Sequence, residues 1–215
     1  MSNNETKNVS GQNKEKAFSV RAMAITAMLS ALAFVLMYLE IPIPLMPSYI
    51  KFDFSDLPAV IGAFALGPVY GVVIELIKNV IHLVVSQSMF IGEMSNFILG
   101  AVFVCCAGLI YKFNRTKKGA IIAGIAGAVA MGLVSIISNY FIVYPVYVNV
   151  FFGGDENICV ATYDVISYDL LHIGHVKSLI QCLVCFNLPF TVLKGLISVV
   201  ITMLVYKPLR KIIHK

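Results

Sequence analysis

Long stretches without a charged residue constrain this chain more than any other feature. Three windows of 18 residues, Ala22–Leu39, Leu57–Ile74 and Met94–Tyr111, and one of 36 residues, Gly119–Gly154, contain no acid or base. A fifth window, Ser178–Tyr206, contains one lysine and no other charge. An α-helix needs about 20 apolar residues to cross the hydrocarbon core of a bilayer. The sequence therefore predicts an all-α membrane protein with five clear spanning helices.

The distribution of basic residues favours a sixth span, between Glu75 and Gln87, where polar residues interrupt an apolar run. Twelve of the 16 Lys and Arg fall in three clusters: up to Arg21, within Lys112–Lys118, and after Tyr206. With six spans all three clusters lie on one side of the membrane, which the positive-inside rule makes cytoplasmic. We therefore predict six transmembrane helices with the N- and C-termini cytoplasmic. The net charge of +5 then reflects orientation and not nucleic-acid binding.

The arrangement of polar segments predicts a disordered cytoplasmic tail at residues 1–20 and a single six-helix membrane domain at 21–210. Three prolines in Ile41–Pro47 exclude helix there, because proline lacks an amide donor and restricts the residue before it. Gly67–Gly71 is expected to form a tight cytoplasmic bend into the third helix. The fifth helix is expected to end in Asn139–Pro145, and residues 155–177 are expected to form an outer loop.

Lys194 lies near the centre of the last predicted span, with 16 uncharged residues before it and 12 after it. A charge at that depth costs roughly 3 kcal/mol on insertion scales, so it must face protein, water or a ligand. Asn187, Thr191 and Lys194 are spaced i, i+4 and i+7 and line one helix face. That face suits a neutral or weakly acidic ligand with carbonyls and hydroxyls. Hydrogen bonding between helices is the alternative, with Glu75 and Glu93 as partners of the lysine only if the fold brings them close.

Further polar residues lie near the outer ends of the predicted spans. Glu93 and Asn96 begin the fourth helix, and Asn139 lies in the outer part of the fifth. The chain has no G-x-x-x-x-G-K-[ST] phosphate loop, no G-x-S-x-G nucleophile elbow and no H-E-x-x-H zinc motif. We therefore predict a solute-binding membrane subunit that draws its energy from another protein, with no catalytic residues and no metal or cofactor.

One long string carries a family resemblance. Lys51–Pro68 (KFDFSDLPAVIGAFALGP) resembles the riboflavin-specific S components of bacterial energy-coupling factor (ECF) transporters. The resemblance continues through Gly71–Asn79 (GVVIELIKN) and Gly92–Gly100 (GEMSNFILG) and ends in Pro189–Gly195 (PFTVLKG). It covers essentially residues 21–210.

The resemblance implies a vitamin-binding subunit of the bacterial cell membrane that docks on a membrane coupling protein driven by two ATPase subunits. Ala27 and Ala31 match the A-x-x-x-A motif that faces the coupling protein in this family. The loop that covers the vitamin maps to residues 41–56, which adds Tyr49, Lys51 and Asp56 to the candidate substrate-binding residues. The family usually has Asn three residues before the lysine of the last helix, and Thr191 occupies that place here.

The sequence leaves three other interpretations open. One is a related S component for a different vitamin. Another is a membrane scaffold protein without a transport role, in which Lys194 pairs with a carboxylate; an enzyme comes third. Riboflavin is favoured because its tricyclic ring needs an apolar slot with a few aimed hydrogen bonds, and its ribityl chain needs hydroxyl partners.

Overall fold

The computed structural model describes residues 20–213, apart from residues 87 and 173 and the side chains of residues 170 and 206–213. The tail predicted for residues 1–20 lies outside the described residues, except that Val20 begins the first helix. The described part contains nine α-helices and one pair of very short strands, together with a 3-10 turn after the third helix and three π-helical turns. The helices and strands are α1 (Val20–Tyr38), β1 (Ile41–Pro42), β2 (Lys51–Phe52), α2 (Asp56–Ala65), α3 (Pro68–His82), α4 (Ile91–Phe113), α5 (Lys117–Ser138), α6 (Tyr144–Phe151), α7 (Glu156–Val165), α8 (Leu179–Cys182) and α9 (Leu188–Ile213).

Five helical segments of the described chain are long and apolar enough to cross a membrane. They are Val20–Tyr38, Pro68–Val85, Ile91–Phe113, Lys117–Phe151 and Leu179–Val205. The fourth joins α5 to α6 through a π-helical turn, and the fifth joins α8 to α9 in the same way. The prediction of an all-α membrane protein is therefore confirmed. Helix α2 has ten residues and is shorter than the five.

The uncharged window Leu57–Ile74 does not form one helix, and the third helix begins before Glu75, where the predicted sixth span starts. Helix α2 ends at Ala65 and α3 begins at Pro68. Gly67 between them has φ +118°, a conformation that residues with a side chain rarely adopt. Pro68 then starts α3, where the amide hydrogen it lacks would have no helical partner. The bend expected at Gly67–Gly71 is present, but it divides the apolar window.

Two predictions for the segment after Ser138 are wrong. The fifth helix continues beyond Pro145 to Phe151, because a π-helical turn at Asn139–Val143 precedes the proline, which then lies in the first turn of α6. The expected outer loop at residues 155–177 contains helix α7. The Asp155 side chain accepts a hydrogen bond from the Asn157 amide and caps the start of this helix.

Close helix packing in the centre of the molecule depends on small residues of α5 and α9. A Cβ atom added to Gly124 would lie 2.5 Å from Val199, and one added to Gly195 would lie 2.7 Å from the Cβ atom of Ala128. Neither distance is possible without movement of a helix. Small residues at such contacts allow two backbones to approach closely, which is the usual basis of helix association in lipid.

Helix α1 turns its small polar residues inward. Thr26 and Ser30 are buried, and each hydroxyl donates to a carbonyl one turn earlier in the same helix, Thr26 to Ala22 at 2.7 Å and Ser30 to Thr26 at 2.8 Å. The apolar residues Met28, Leu32 and Val35 are exposed, as expected for a helix that faces lipid. Packing and not hydrogen bonding by these hydroxyls therefore holds α1 against its neighbours α2 and α3.

Two apolar clusters frame the interior. The first is formed by side chains of α1 to α5 and α9, among them Phe103, Val104 and Met131. The second is formed by the loop after α1 together with α6, α7 and α8, and includes Tyr144 and Tyr163. A cavity lies where the two clusters meet.

Candidate functional site

A cavity of about 560 Å³ opens between the loop after α1 and helices α4, α5, α6 and α9. All nine residues predicted from the sequence to bind a substrate lie on its wall. They are Tyr49, Lys51, Asp56, Glu93, Asn96, Asn139, Asn187, Thr191 and Lys194. The cavity is of the size that small-molecule sites in proteins have.

The floor of the cavity is formed by Asp53, Asp56 and Lys194, which belong to a larger network of buried charges. Lys194 Nζ lies 2.9 Å from Asp53 Oδ2 and 3.5 Å from Asp56 Oδ2. Asp56 also accepts from Lys78 Nζ at 2.7 Å, and Lys78 lies 2.7 Å from Glu75 Oε2. Three carboxylates therefore share two ammonium groups within the protein. Each charge has an opposite partner, which offsets part of the cost of removing it from water.

The partners of Lys194 differ from those considered from the sequence. Glu75 pairs with Lys78, and Glu93 pairs with His82, so that neither is the main partner of Lys194. Asp53, which the sequence reasoning missed as a site residue, takes that place. The signal was present in the string Lys51–Pro68, where two acids three residues apart precede an apolar helix.

The Asp53 carboxylate is buried and has partners on both oxygens. Its Oδ1 accepts a hydrogen bond from the Ser55 backbone amide at 2.8 Å, and its Oδ2 forms the ion pair with Lys194. Because Asp53 lies in the loop after α1, the pair with Lys194 ties that loop to α9.

Glu93 forms a second polar group at the cavity wall, where α3 and α4 meet. Its Oε1 lies 2.9 Å from His82 Nδ1, and its Oε2 accepts from Ser86 at 2.9 Å and from Ser88 at 2.8 Å. Asn96, one turn further along α4, donates a long hydrogen bond of 3.5 Å to Asp53. These contacts fix both α4 side chains before any ligand enters.

The loop after α1 covers one side of the cavity. Its ends pair as a short antiparallel ladder, with Ile41 opposite Phe52, and Lys51 forms an ion pair with Glu40. Tyr49 packs against Tyr147 of α6, with ring centroids 5.2 Å apart, and contacts the Cys159 thiol of α7 at 3.6 Å. This side of the cavity is aromatic, in contrast to the charged floor.

The remaining candidates lie on α9 and on the π-helical turns that follow α5 and precede α9. Asn139, Asn187 and Thr191 are all buried, with 5, 5 and 6% of their surfaces exposed. Asn187 ends the π-helical turn before α9, and its amide bonds two tyrosines. An aromatic wall, a charged floor and several amides suit a flat, largely neutral ligand that offers both donors and acceptors.

The predicted docking residues lie elsewhere. Ala27 and Ala31 are exposed on the outer face of α1, one turn apart, and neither lines the cavity. Their methyl groups leave room there for a second helix to approach closely.

Comparisons with known proteins agree with this geometry. The family model "ECF transporter, substrate-specific component" matches residues 21–206. The riboflavin transporter RibU of Staphylococcus aureus (strain TCH60) is 30% identical over 207 residues, which are 96% of this chain and 100% of that protein. The riboflavin transporter FmnP of Bacillus subtilis (strain 168) is 37% identical over 131 residues, 60% of this chain and 69% of that protein.

A solved structure has the same fold. It is described as the S component of a bacterial ECF transporter, and it superposes with a TM-score of 0.69 at 30% sequence identity, over 91% of this chain and 98% of that one. The chain therefore belongs to the substrate-specific S components of ECF transporters.

Proposed function

We propose that this protein captures riboflavin from outside the cell and presents it to an ECF module for ATP-driven uptake. The observation that carries the proposal is the cavity of about 560 Å³, whose wall brings together all nine residues expected to bind the vitamin. The aromatic side accepts the tricyclic ring, and the amides and charged groups offer partners to its carbonyls and to the ribityl hydroxyls. The two relatives named above are riboflavin transporters.

The topology that fits this function has six crossings, both termini cytoplasmic and one domain at residues 21–210. Helix α2, ten residues long, spans about 15 Å, which is half of the hydrocarbon thickness. Asp53 contacts Lys194, near the centre of the segment Leu179–Val205, so the loop after α1 descends to about mid-membrane before α2 begins. Irregular backbone is tolerated at that depth where it is buried in protein or lines a cavity. Loop and short helix together then make the sixth crossing.

The energy for uptake comes from partners in this proposal. The chain has no Walker-type phosphate loop, and we assign it no enzymatic activity of its own. The partners are the membrane coupling protein and two ATPase subunits. The exposed Ala27–Ala31 surface of α1 supports docking on the coupling protein, because only methyl groups separate the two helix backbones there.

One observation favours the scaffold interpretation. Lys194 does pair with carboxylates, as that interpretation requires. A scaffold has no need, however, of a cavity with buried amides on its wall. Ligand binding separates the two interpretations directly.

The test is a titration of riboflavin into the purified protein. We expect one equivalent to bind and its fluorescence to be quenched as the ring stacks against the aromatic wall. Thiamine and biotin, added in excess, should not displace it. Absence of quenching, combined with tight binding of thiamine or biotin, would assign the chain to a different vitamin; absence of all three would favour the scaffold.

A further inference from the structure

Three hydrogen bonds connect Asn187 with two tyrosines in a closed ring. The Tyr163 hydroxyl donates to Asn187 Oδ1 at 2.7 Å, and Asn187 Nδ2 donates to the Tyr144 oxygen at 3.0 Å. The hydroxyls of Tyr144 and Tyr163 are also hydrogen-bonded to each other. The three side chains are 2, 0 and 5% exposed for Tyr144, Tyr163 and Asn187, so water does not compete for these bonds.

The direction of each bond follows from counting hydrogens. A phenol has one hydrogen to donate, and Tyr163 uses it on Asn187. The bond between the two hydroxyls must therefore run from Tyr144 to Tyr163. Each of the three groups then donates once and accepts once within the ring, and such closed arrangements strengthen their members.

Among the described residues, the ring leaves one amide hydrogen of Asn187 without an acceptor. Its Nδ2 carries two hydrogens, and the hydrogen bond to Tyr144 uses one. Asn187 and Tyr144 line the cavity, whereas Tyr163 is not part of the cavity wall. Tyr163 thus lies behind Asn187, on helix α7, and determines which end of the amide faces which neighbour.

Without the Tyr163 hydroxyl, this orientation would be lost. Tyr144 alone can accept from the amide nitrogen or donate to the amide oxygen, so it favours neither orientation strongly. A phenylalanine at position 163 would also leave one side of the buried amide without a partner.

We infer that Tyr163 is a positioning residue that orients the Asn187 amide so that this side chain donates a hydrogen bond to an acceptor atom of the ligand. The inference rests on the proposed function, and it adds a specificity element for acceptor-bearing ligands. It also gives helix α7, which lies outside the membrane-spanning segments, a role at the site.

The experiment is a double-mutant cycle on riboflavin affinity, measured by quenching of flavin fluorescence in purified protein. Tyr163→Phe should raise the Kd about 10-fold, the effect of losing about one hydrogen bond. In an Asn187→Leu background, the same substitution should change the Kd less than about 2-fold, because the group that Tyr163 orients is gone. Tyr140→Phe, at a partly exposed tyrosine of the neighbouring π-helical turn, is the matched control and should leave the Kd unchanged.

Three results would overturn the inference. A Kd unchanged in Tyr163→Phe removes its basis, and an equal loss in both backgrounds shows that Tyr163 acts on the fold and not through Asn187. If Tyr163→Phe does not fold, Asn187→Asp replaces it as the test variant, since it keeps the acceptor for Tyr163 and removes the amide hydrogens. Wild-type riboflavin affinity in Asn187→Asp is the third result that would overturn the inference. Failure of the unmodified protein to bind riboflavin would reject the proposed function, and this inference with it.

Discussion

Replacement of Lys194 by methionine separates its structural role from its role in binding. The substitution keeps most of the side-chain volume and removes the cation that Asp53 and Asp56 share. Removing one partner of a buried ion pair costs about 3 to 5 kcal/mol, because the other charge stays buried without compensation. Lys78 still neutralises Asp56, so we expect the lower end, about 3 kcal/mol. For a chain of this length that lowers Tm by roughly 6 to 12 °C.

The double variant Asp53→Asn/Lys194→Met removes both charges of the closest pair. It should recover stability to within about 1 kcal/mol of the unmodified protein, since replacing a whole buried pair is often nearly neutral. Riboflavin affinity should nevertheless remain about 10-fold lower or more in both the single and the double variant, because the ligand has lost a charged donor. Asp53→Asn alone should bind riboflavin well, since Lys194 is retained.

The measurements are thermal unfolding in detergent and riboflavin titration. Both are carried out on the unmodified protein, the two single variants and the double variant. A double variant that binds riboflavin as tightly as the unmodified protein would show that Lys194 serves only the ion pair, and the ligand role would be refuted. A single Lys194→Met variant with unchanged Tm would show that the buried pair contributes nothing to folding.

A further prediction concerns the outer surface of α1. Ala27→Trp or Ala31→Trp should abolish co-purification with the coupling protein and the ATPase subunits. Riboflavin binding by the isolated chain should persist, because both residues are exposed and neither lines the cavity. Leu133→Trp, on the exposed face of α5, is the control, and loss of riboflavin binding in the α1 variants would contradict the docking role.

The sequence predicts helices well where an apolar run is long and uninterrupted. It predicts them poorly where the conformation of a single residue determines where a helix ends. The window Leu57–Ile74 is uncharged throughout, so charge gives no sign of a helix end, and only the glycine and proline at 67 and 68 predict the bend. The division depends on Gly67 and its positive φ. Helix α7 is also missed, since its sequence is short and mixed and its stability depends on packing of Cys159 and Tyr163 against the rest of the second apolar cluster.

The candidate site shows the same division between local and long-range information. Asn187, Thr191 and Lys194 can be grouped from spacing alone, because one helix carries all three. Asp53 cannot be linked to Lys194 in this way, since 141 residues separate them and the contact depends on how deeply the loop descends. The cost of removing Lys194 therefore depends on a partner that helical spacing does not reveal.

The inward hydroxyls of α1 have a consequence for motion. Thr26 and Ser30 satisfy their hydrogen bonds within their own helix, so a shift of α1 along α2 and α3 does not break these bonds. Contacts that depend on shape alone are exchanged in small steps, each worth a fraction of a kcal/mol. A helix held in this way can slide or tilt when another helix packs on its outer face, and the hydrogen bonds of these two hydroxyls move with it unchanged.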